Sequence, residues 1–192
     1  FPEHQPLQEQ KLRQKERLAT DKSSSNIQIY DLFLSHKKSD VDPNINISME
    51  ALARILKEHF EGRDRGLKCF LDRDYNGSSW NDLPNLVQCS NTILVILSSK
   101  FVDSPWCVIE VLSAIMHQRP IAFLEISNSF NLVAFKKQLA KIGFPFLNEL
   151  DNYNNVLKYS KDIFKGSMDL IAERVEKNKL SQPILKEAVV TR

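Results

Sequence analysis

From residue 27 onward, short apolar segments alternate with amphipathic ones, and this alternation limits the possible folds more than any other feature of the chain. Segment 91–99 (NTILVILSS) is almost entirely apolar, as expected for a strand that is buried on both faces. Segment 48–62 instead carries apolar residues at helical spacing. About five such strand–helix pairs predict an α/β chain with a flavodoxin-like three-layer fold, in which about five parallel strands have helices on both faces.

The individual elements are predicted from periodicity, capping residues and turn signals. We expect strands at 27–35, 67–72, 91–99, 120–127 and 144–150. We expect helices at 48–62, 82–90, 104–118, 130–143 and within 157–179. The candidate helix ends are the N-caps Ser48 and Ser104, a proline at the first helical position, Pro105, and the stops Gly62 and Gly143.

The length and charge of the chain restrict its organisation and its partners. Its 192 residues suffice for one domain, predicted at 27–177, with a helical arm or linker at 1–26 and a tail at 178–192. The 26 basic and 24 acidic residues give a net charge of +2, so we expect no nucleic-acid partner. No apolar run reaches about 18 residues, and the first residues lack a signal-peptide pattern, so we expect no membrane span.

Three cysteines, Cys69, Cys89 and Cys107, lie far apart in the sequence and form no CxxC pair. An odd number of cysteines within apolar segments predicts free, reduced thiols and a cytoplasmic protein. A zinc site would need a fourth ligand at finger-like spacing, which the sequence lacks, so we expect no metal site. Cys107 is expected to be a core residue rather than a nucleophile, because no histidine is placed beside it in the sequence.

Polar side chains follow the first predicted strand, at the edge of the sheet where α/β proteins of this class bind their ligands. This first loop offers Ser35, His36, Lys37 and Lys38, and the two lysines can meet phosphate groups as point charges. The alternative is a solvated polar loop without a ligand.

The loop after the second predicted strand, at 72–80, lies at the same edge. It carries a charged cluster that includes Arg73, and its tip includes the aromatic residues Tyr75 and Trp80. The charges are consistent with an ordinary surface cluster. The aromatic residues instead favour a contact surface, because exposed aromatic side chains are costly unless something covers them.

A carboxylate, Glu110, occurs in the otherwise nearly apolar helix predicted at 104–118. Charged residues are rarely buried without a reason. Trp106 is four residues earlier, so the two side chains share one side of the helix. The helix N-terminus, with its positive dipole end, faces the same edge as the two loops. Glu110 is therefore either a solvated edge residue or a group that acts on a ligand.

Several other functions of α/β folds are disfavoured by the residue types. Neither the phosphate-binding pattern GxxxxGK[ST] nor GxGxxG follows the first strand. Ser35, His36 and an aspartate would supply a Ser-His-Asp triad, but no GxSxG nucleophile elbow accompanies them. A receiver domain needs an acidic pair after the first strand, where this chain has Ser-His-Lys.

Four segments in register carry a resemblance to a known family: 30–40 (YDLFLSHKKSD), 69–80 (CFLDRDYNGSSW), 93–111 (ILVILSSKFVDSPWCVIEV) and 119–126 (RPIAFLEI). Together they resemble a Toll/interleukin receptor (TIR) domain over residues 27–177. The first is similar to box 1 of that family, and the second to box 2, the BB loop. The third is similar to the S-x-W-C-x-x-E-L segment of plant and many other TIR domains, and the chain as a whole resembles the NAD-cleaving members of the plant and bacterial type. Pro84 departs from the family pattern, in which the helix after the BB loop is unbroken.

The resemblance implies an NAD glycohydrolase, which cleaves NAD at the nicotinamide–ribose bond in a signalling, immune or cell-death response. NAD is then a substrate, no cofactor is needed, and Glu110 matches the catalytic glutamate. The residues we expect to contact NAD are Ser35, His36, Lys37, Lys38, Arg73, Trp80 and Trp106. The resemblance also implies association with other TIR domains, as a homo-oligomer on activation. The alternative is a non-catalytic TIR signalling or scaffold module that acts through TIR–TIR interactions.

Overall fold

A five-stranded parallel sheet forms the centre of the described part of the chain. The computed structural model describes residues 29–42, 46–62, 65–72, 82–126, 132–144, 148, 150, 156–158 and 164–181. The sheet strands are β1 (Tyr30–Ser35), β4 (Cys69–Phe70), β5 (Ser90–Leu97), β6 (Ile121–Glu125) and β7 (Val156–Lys158). Their order is β4-β1-β5-β6-β7, and every neighbouring pair is parallel.

Helices connect the strands, and a small antiparallel pair follows β1. This pair consists of β2 (Val41–Asp42) and β3 (Ile47–Ser48). The helices are α1 (Met49–Glu61), α2 (Leu83–Gln88), α3 (Pro105–Met116), α4 (Leu132–Lys141) and α5 (Phe164–Ser181), with a 3₁₀ turn at Phe101–Asp103. The strand order confirms the predicted flavodoxin-like fold, and its topological switch point, where such folds bind ligands, lies between β1 and β5.

Two apolar layers cover the two faces of the sheet, because successive strand residues point to opposite sides. Leu32 and Leu34 of β1 pack with buried residues of α1 and α5. Phe33, between them, packs with residues of α2, α3 and α4. Strand β5 is buried along its whole length, as its apolar sequence predicts.

The two predicted serine N-caps are confirmed. The Ser48 hydroxyl accepts a hydrogen bond from the Ala51 N–H at 3.1 Å, and α1 ends at Gly62. The Ser104 hydroxyl accepts the Cys107 N–H at 3.4 Å, with Pro105 opening α3. The proline that departs from the family pattern lies in the first turn of α2, which is only six residues long and shorter than predicted.

The structure describes residues 144, 148 and 150 of the strand predicted at 144–150, and none of these three is in a strand. The fifth strand of the described sheet is instead β7, at Val156–Lys158. Phe144 and Leu150 are instead buried beside α3 and α4, in the layer that contains Phe33. Their apolar side chains are therefore explained by burial in the core rather than by strand pairing. The arm predicted at 1–26, residues 73–80 of the loop predicted at 72–80, and residues 182–192 of the tail predicted at 178–192 lie outside the described residues. The first four residues of that predicted tail belong to α5, which ends at Ser181. Within the described residues, no helix combines the length and hydropathy that a membrane span requires.

Candidate functional site

The carboxylate of Glu110 meets the end of β1 at the carboxyl edge of the sheet. The Ser35 hydroxyl donates a hydrogen bond to Glu110 Oε2 at 2.5 Å. Ser35 is fully buried, and Glu110 is only 5% exposed. Helix α3 turns Glu110 inward because residues three or four apart share a helix face, and its neighbours on that face, Cys107, Ser113 and Ala114, are buried.

The environment of Glu110 favours its protonated form. Burial raises its pKa to about 8, and the negative charge of Asp72 acts in the same direction. The hydrogen bond from Ser35 and the positive charge of Lys38 oppose this rise. Near neutral pH the side chain is therefore mainly protonated, and a positive charge placed beside it would ionise it.

An ion pair links the first edge loop to the end of β4. Lys38 Nζ lies 2.9 Å from Asp72 Oδ2, and the side chains are 39% and 16% exposed. A pair this accessible to solvent contributes little to stability. The role of Lys38 as a phosphate ligand stays a prediction, and it would require the lysine to share its charge between Asp72 and a phosphate. Lys37, next to it, is half-buried.

His36 is buried beside the Ser35–Glu110 contact. Its ring Nδ1 lies 3.5 Å from the Leu34 carbonyl oxygen, and its own carbonyl accepts a hydrogen bond from the Cys107 thiol at 3.3 Å. Burial lowers the pKa of His36, although the charge of Asp72 partly compensates. The ring is therefore neutral near pH 7.

Cys107 is buried, as expected, and it is a poor nucleophile. Burial raises the pKa of its thiol to about 12, and the charge of Glu110 adds to this effect. A thiol rather than a thiolate is therefore present at any physiological pH. In a Ser-His-Asp triad the serine hydroxyl is hydrogen-bonded to the histidine ring. The Ser35 hydroxyl is instead hydrogen-bonded to Glu110, so the geometry does not support such a triad.

The tryptophan predicted to share a helix side with Glu110 lies nearer the surface. Trp106 is in the first turn of α3 and is 43% exposed, whereas Glu110 lies one turn deeper. An aromatic ring at this rim is suited to stack on a base or to contact another protein. The other two predicted contact residues, Arg73 and Trp80, lie outside the described residues.

Sequence reasoning missed Asp40, a buried carboxylate that joins the edge loops. Its Oδ1 accepts the Val41 N–H at 3.0 Å, and its Oδ2 accepts the Lys100 N–H at 3.1 Å. Its backbone carbonyl accepts the Met49 N–H at 2.9 Å. The short Asp-Val contact follows a common local turn pattern. The contact with Lys100 has no signal in the sequence, because it depends on which strands are neighbours.

Comparison with known proteins gives the family. A family model described as the TIR domain matches residues 29–121, a range that contains Ser35 and Glu110. No curated protein sequence matches the chain.

Two solved structures share the fold. The TIR domain of the Toll-related receptor TRR-2 from Hydra magnipapillata is 18% identical, with a TM-score of 0.50, and the match covers 77% of this chain and 98% of that one. The TIR domains of the activated Roq1 resistosome, which recognises the pathogen effector XopQ, are 14% identical, with a TM-score of 0.50 and coverage of 78% and 99%. At these identities the likeness concerns the fold alone. The family match and the strand order together lead to one conclusion: the chain contains a TIR domain, which the family model matches over residues 29–121.

Proposed function

We propose that this TIR domain is an NAD glycohydrolase that cleaves NAD at the nicotinamide–ribose bond, with Glu110 as its catalytic residue. The observation that supports the proposal best is the position of Glu110: a buried carboxylate, hydrogen-bonded to Ser35, at the switch point between β1 and β5. An isolated acidic group in an otherwise apolar helix is costly, and such groups are concentrated at functional sites.

The chemistry needs one carboxylate. Breaking the bond between the ribose C1′ and the pyridinium nitrogen leaves positive charge on the ribose, which a carboxylate stabilises. Nicotinamide leaves as a neutral molecule, so no general acid is required. Water then attacks C1′, and the products are nicotinamide, ADP-ribose and a proton.

The raised pKa of Glu110 is compatible with this role. A bound pyridinium ring brings a positive charge close to the carboxyl group, and an opposite charge at that distance favours the ionised form. Ser35 donates to the carboxylate and fixes its orientation. We propose that Ser35 is a positioning residue, that Lys37 and Lys38 contact the phosphates, and that Trp106 stacks on a base. Arg73 and Trp80 remain predicted NAD contacts.

The experiment is a measurement of nicotinamide release at high protein concentration. We expect release by the unsubstituted chain and a loss of about 100-fold or more in Glu110→Gln, as is typical when a charge-stabilising group is removed. Ser90→Ala is the control, because Ser90 is a buried serine at the amino end of β5, the end opposite to the carboxyl edge that holds Glu110. Equal background release by the unsubstituted and Glu110→Gln chains would remove the enzymatic proposal.

The alternative is a non-catalytic module that assembles with other TIR domains. Two observations favour it: the low exposure of Glu110, and the exposed ring of Trp106 at the end of α3. The resistosome among the similar structures also makes an immune role a reasonable proposal for this chain. Sedimentation of the chain over a range of concentrations, with and without Trp106→Ala, measures assembly directly. An unchanged mass at every concentration would count against self-association. Both proposals suppose a cytoplasmic protein.

A further inference from the structure

Three buried polar atoms at the carboxyl edge have no hydrogen-bond partner in the part of the chain that the structure describes. They are His36 Nε2, Asp72 Oδ1 and Ser98 Oγ. Their residues follow β1, β4 and β5, which are neighbours in the sheet. Since neighbouring strands lie about 4.8 Å apart, the three positions span roughly 10 Å of one edge. Buried polar atoms are nearly always hydrogen-bonded, so this set indicates a place where a ligand supplies the partners.

Two of these atoms are acceptors that need donors. Because the Leu34 carbonyl can only accept, the proton of the neutral His36 ring lies on Nδ1, which leaves Nε2 as an acceptor. His36 is only 6% exposed, so bulk water has little access to it. Asp72 has its Oδ2 held by Lys38 at 2.9 Å, and Oδ1 remains as the second acceptor.

The residues that carry these acceptors follow β1 and β4, at the same edge of the sheet as the proposed reaction centre. His36 directly follows Ser35, whose hydroxyl holds Glu110. Asp72 is close enough for its charge to act on both His36 and Glu110. The pyridinium ring of NAD, whose bond to ribose would break at Glu110, carries a carboxamide. The NH₂ of that group offers two hydrogen-bond donors.

We propose that His36 Nε2 and Asp72 Oδ1 accept hydrogen bonds from the carboxamide of the nicotinamide ring, and thereby select a carboxamide over a carboxylate at that position of the ligand. This inference rests on the proposed NAD-cleaving function for the position of the ring. A carboxylate offers no donor to either acceptor, and Asp72 repels its negative charge. The charge of Lys38 would already be shared between Asp72, at 2.9 Å, and a phosphate of the dinucleotide, so it compensates a carboxylate at this position only in part.

The test is isothermal titration calorimetry of the whole chain carrying Glu110→Gln, which prevents turnover. The two ligands are nicotinamide adenine dinucleotide and nicotinic acid adenine dinucleotide, which differ only in the carboxamide. We expect the carboxamide form to bind at least about tenfold more tightly, because the carboxylate leaves two buried acceptors unpaired.

Second substitutions test the two residues separately. His36→Phe should bring the ratio of the two dissociation constants close to one, whereas His36→Gln, which keeps an acceptor, should retain part of the ratio. Asp72→Asn should lower the ratio, because it removes the repelling charge. His117→Phe, at the far end of α3, is the matched control and should leave the ratio unchanged. Circular dichroism tests whether each variant is folded. If His36→Phe does not fold, the ratios measured for His36→Gln and Asp72→Asn test the proposal instead.

The proposal would be overturned by a ratio near one in the Glu110→Gln chain, by a preference for the carboxylate, or by no binding of either dinucleotide. A ratio that survives the substitutions of His36 and Asp72 would overturn it equally. The outcome is distinguishable from that of the proposed function, which is read from nicotinamide release by the unsubstituted chain. A chain that selects the carboxamide but releases no nicotinamide would retain this subsite and lose the enzymatic activity.

Discussion

Replacing Glu110 with glutamine should stabilise the folded protein at neutral and alkaline pH, while removing the proposed activity. In the folded state burial raises the pKa of Glu110 from the ordinary value of 4.5 to about 8. The unfolded chain exposes the carboxyl group, which then ionises near its ordinary value. Between these two pH values the folded protein holds a proton that the unfolded chain releases. Raising the pH therefore favours unfolding, and the stability associated with protonated Glu110 is lost.

The two pKa values set the size of the effect. Their difference, 8 minus 4.5, is about 3.5 units, which corresponds to on the order of 5 kcal/mol at about 1.4 kcal/mol per unit. Below pH 4.5 the group is protonated in both states and the contribution vanishes. Near pH 7 roughly 3 kcal/mol of stability has been lost, and the full loss is reached above pH 8. Glutamine has a similar shape without the charge and can keep a hydrogen bond with Ser35, so it avoids this loss.

Urea unfolding of both proteins between pH 4.5 and pH 9 measures the effect as a difference in free energy of unfolding. Other ionisable groups titrate in both proteins, so the difference isolates Glu110. It should rise from near zero at the acidic end to several kcal/mol at the alkaline end. Glu173→Gln is the matched control: Glu173 is exposed on α5, and its replacement should change stability by less than about 0.5 kcal/mol throughout.

A difference that stays constant across this pH range would refute the reasoning, because it would mean that the carboxyl group ionises alike in the folded and unfolded chains. The Glu110 side chain would then have to be solvated in the folded protein, or a stronger positive charge than that of Lys38 would have to offset the cost of burying the ionised carboxylate. A glutamine variant that is less stable at every pH would instead assign Glu110 a structural role through its contact with Ser35.

Three further outcomes are expected from other groups. Ser35→Ala should raise the pKa of Glu110 further, because the Ser35 hydroxyl favours the ionised form. In a chain that cleaves NAD, the rising limb of the plot of kcat/KM against pH should then shift to higher pH by about one unit. A limb at the same pH in both proteins would contradict this. Asp40→Ala should lower the free energy of unfolding by about 1–3 kcal/mol in chemical denaturation, because the Lys100 amide loses its acceptor. Asp40→Asn, which keeps a side-chain oxygen, should lose less, and equal losses in the two variants would argue against this contact. Cys107 should resist alkylation by iodoacetamide near neutral pH until the chain unfolds, because its thiol pKa is about 12. Mass spectrometry of labelled peptides measures the extent of alkylation at Cys107, and rapid labelling of the folded protein would contradict the prediction.

Helix ends and buried strands could be predicted because their signals are local. The serine caps of α1 and α3 lie within three residues of the N–H groups they accept. Strand β5 is apolar along its length because both its faces are covered. The TIR resemblance depended on such segments in order, and the family match confirms it. The NAD-cleaving subtype remains a proposal.

Short edge elements could not be predicted in the same way. Strand β7 has three residues, and it is a strand because β6 is beside it rather than because of its own composition. The apolar composition of segment 144–150 is more typical of a strand than that of β7 is. Phe144 and Leu150 are nevertheless buried in the layer that contains Phe33, without being in a strand. Apolar residues lose contact with water equally well in either arrangement, so composition does not distinguish the two.

The sequence by itself determined the main strands and helices as far as β6, the serine caps of α1 and α3, and the presence of a lone acidic residue in α3, because each depends on residues a few positions apart. Only the tertiary structure decided what that acidic residue touches. Glu110 meets Ser35 across 75 positions, and Asp40 meets Lys100 across 60. Both contacts exist because β5 returns to lie beside β1, a pairing between distant segments whose stability comes from the packed sheet as a whole.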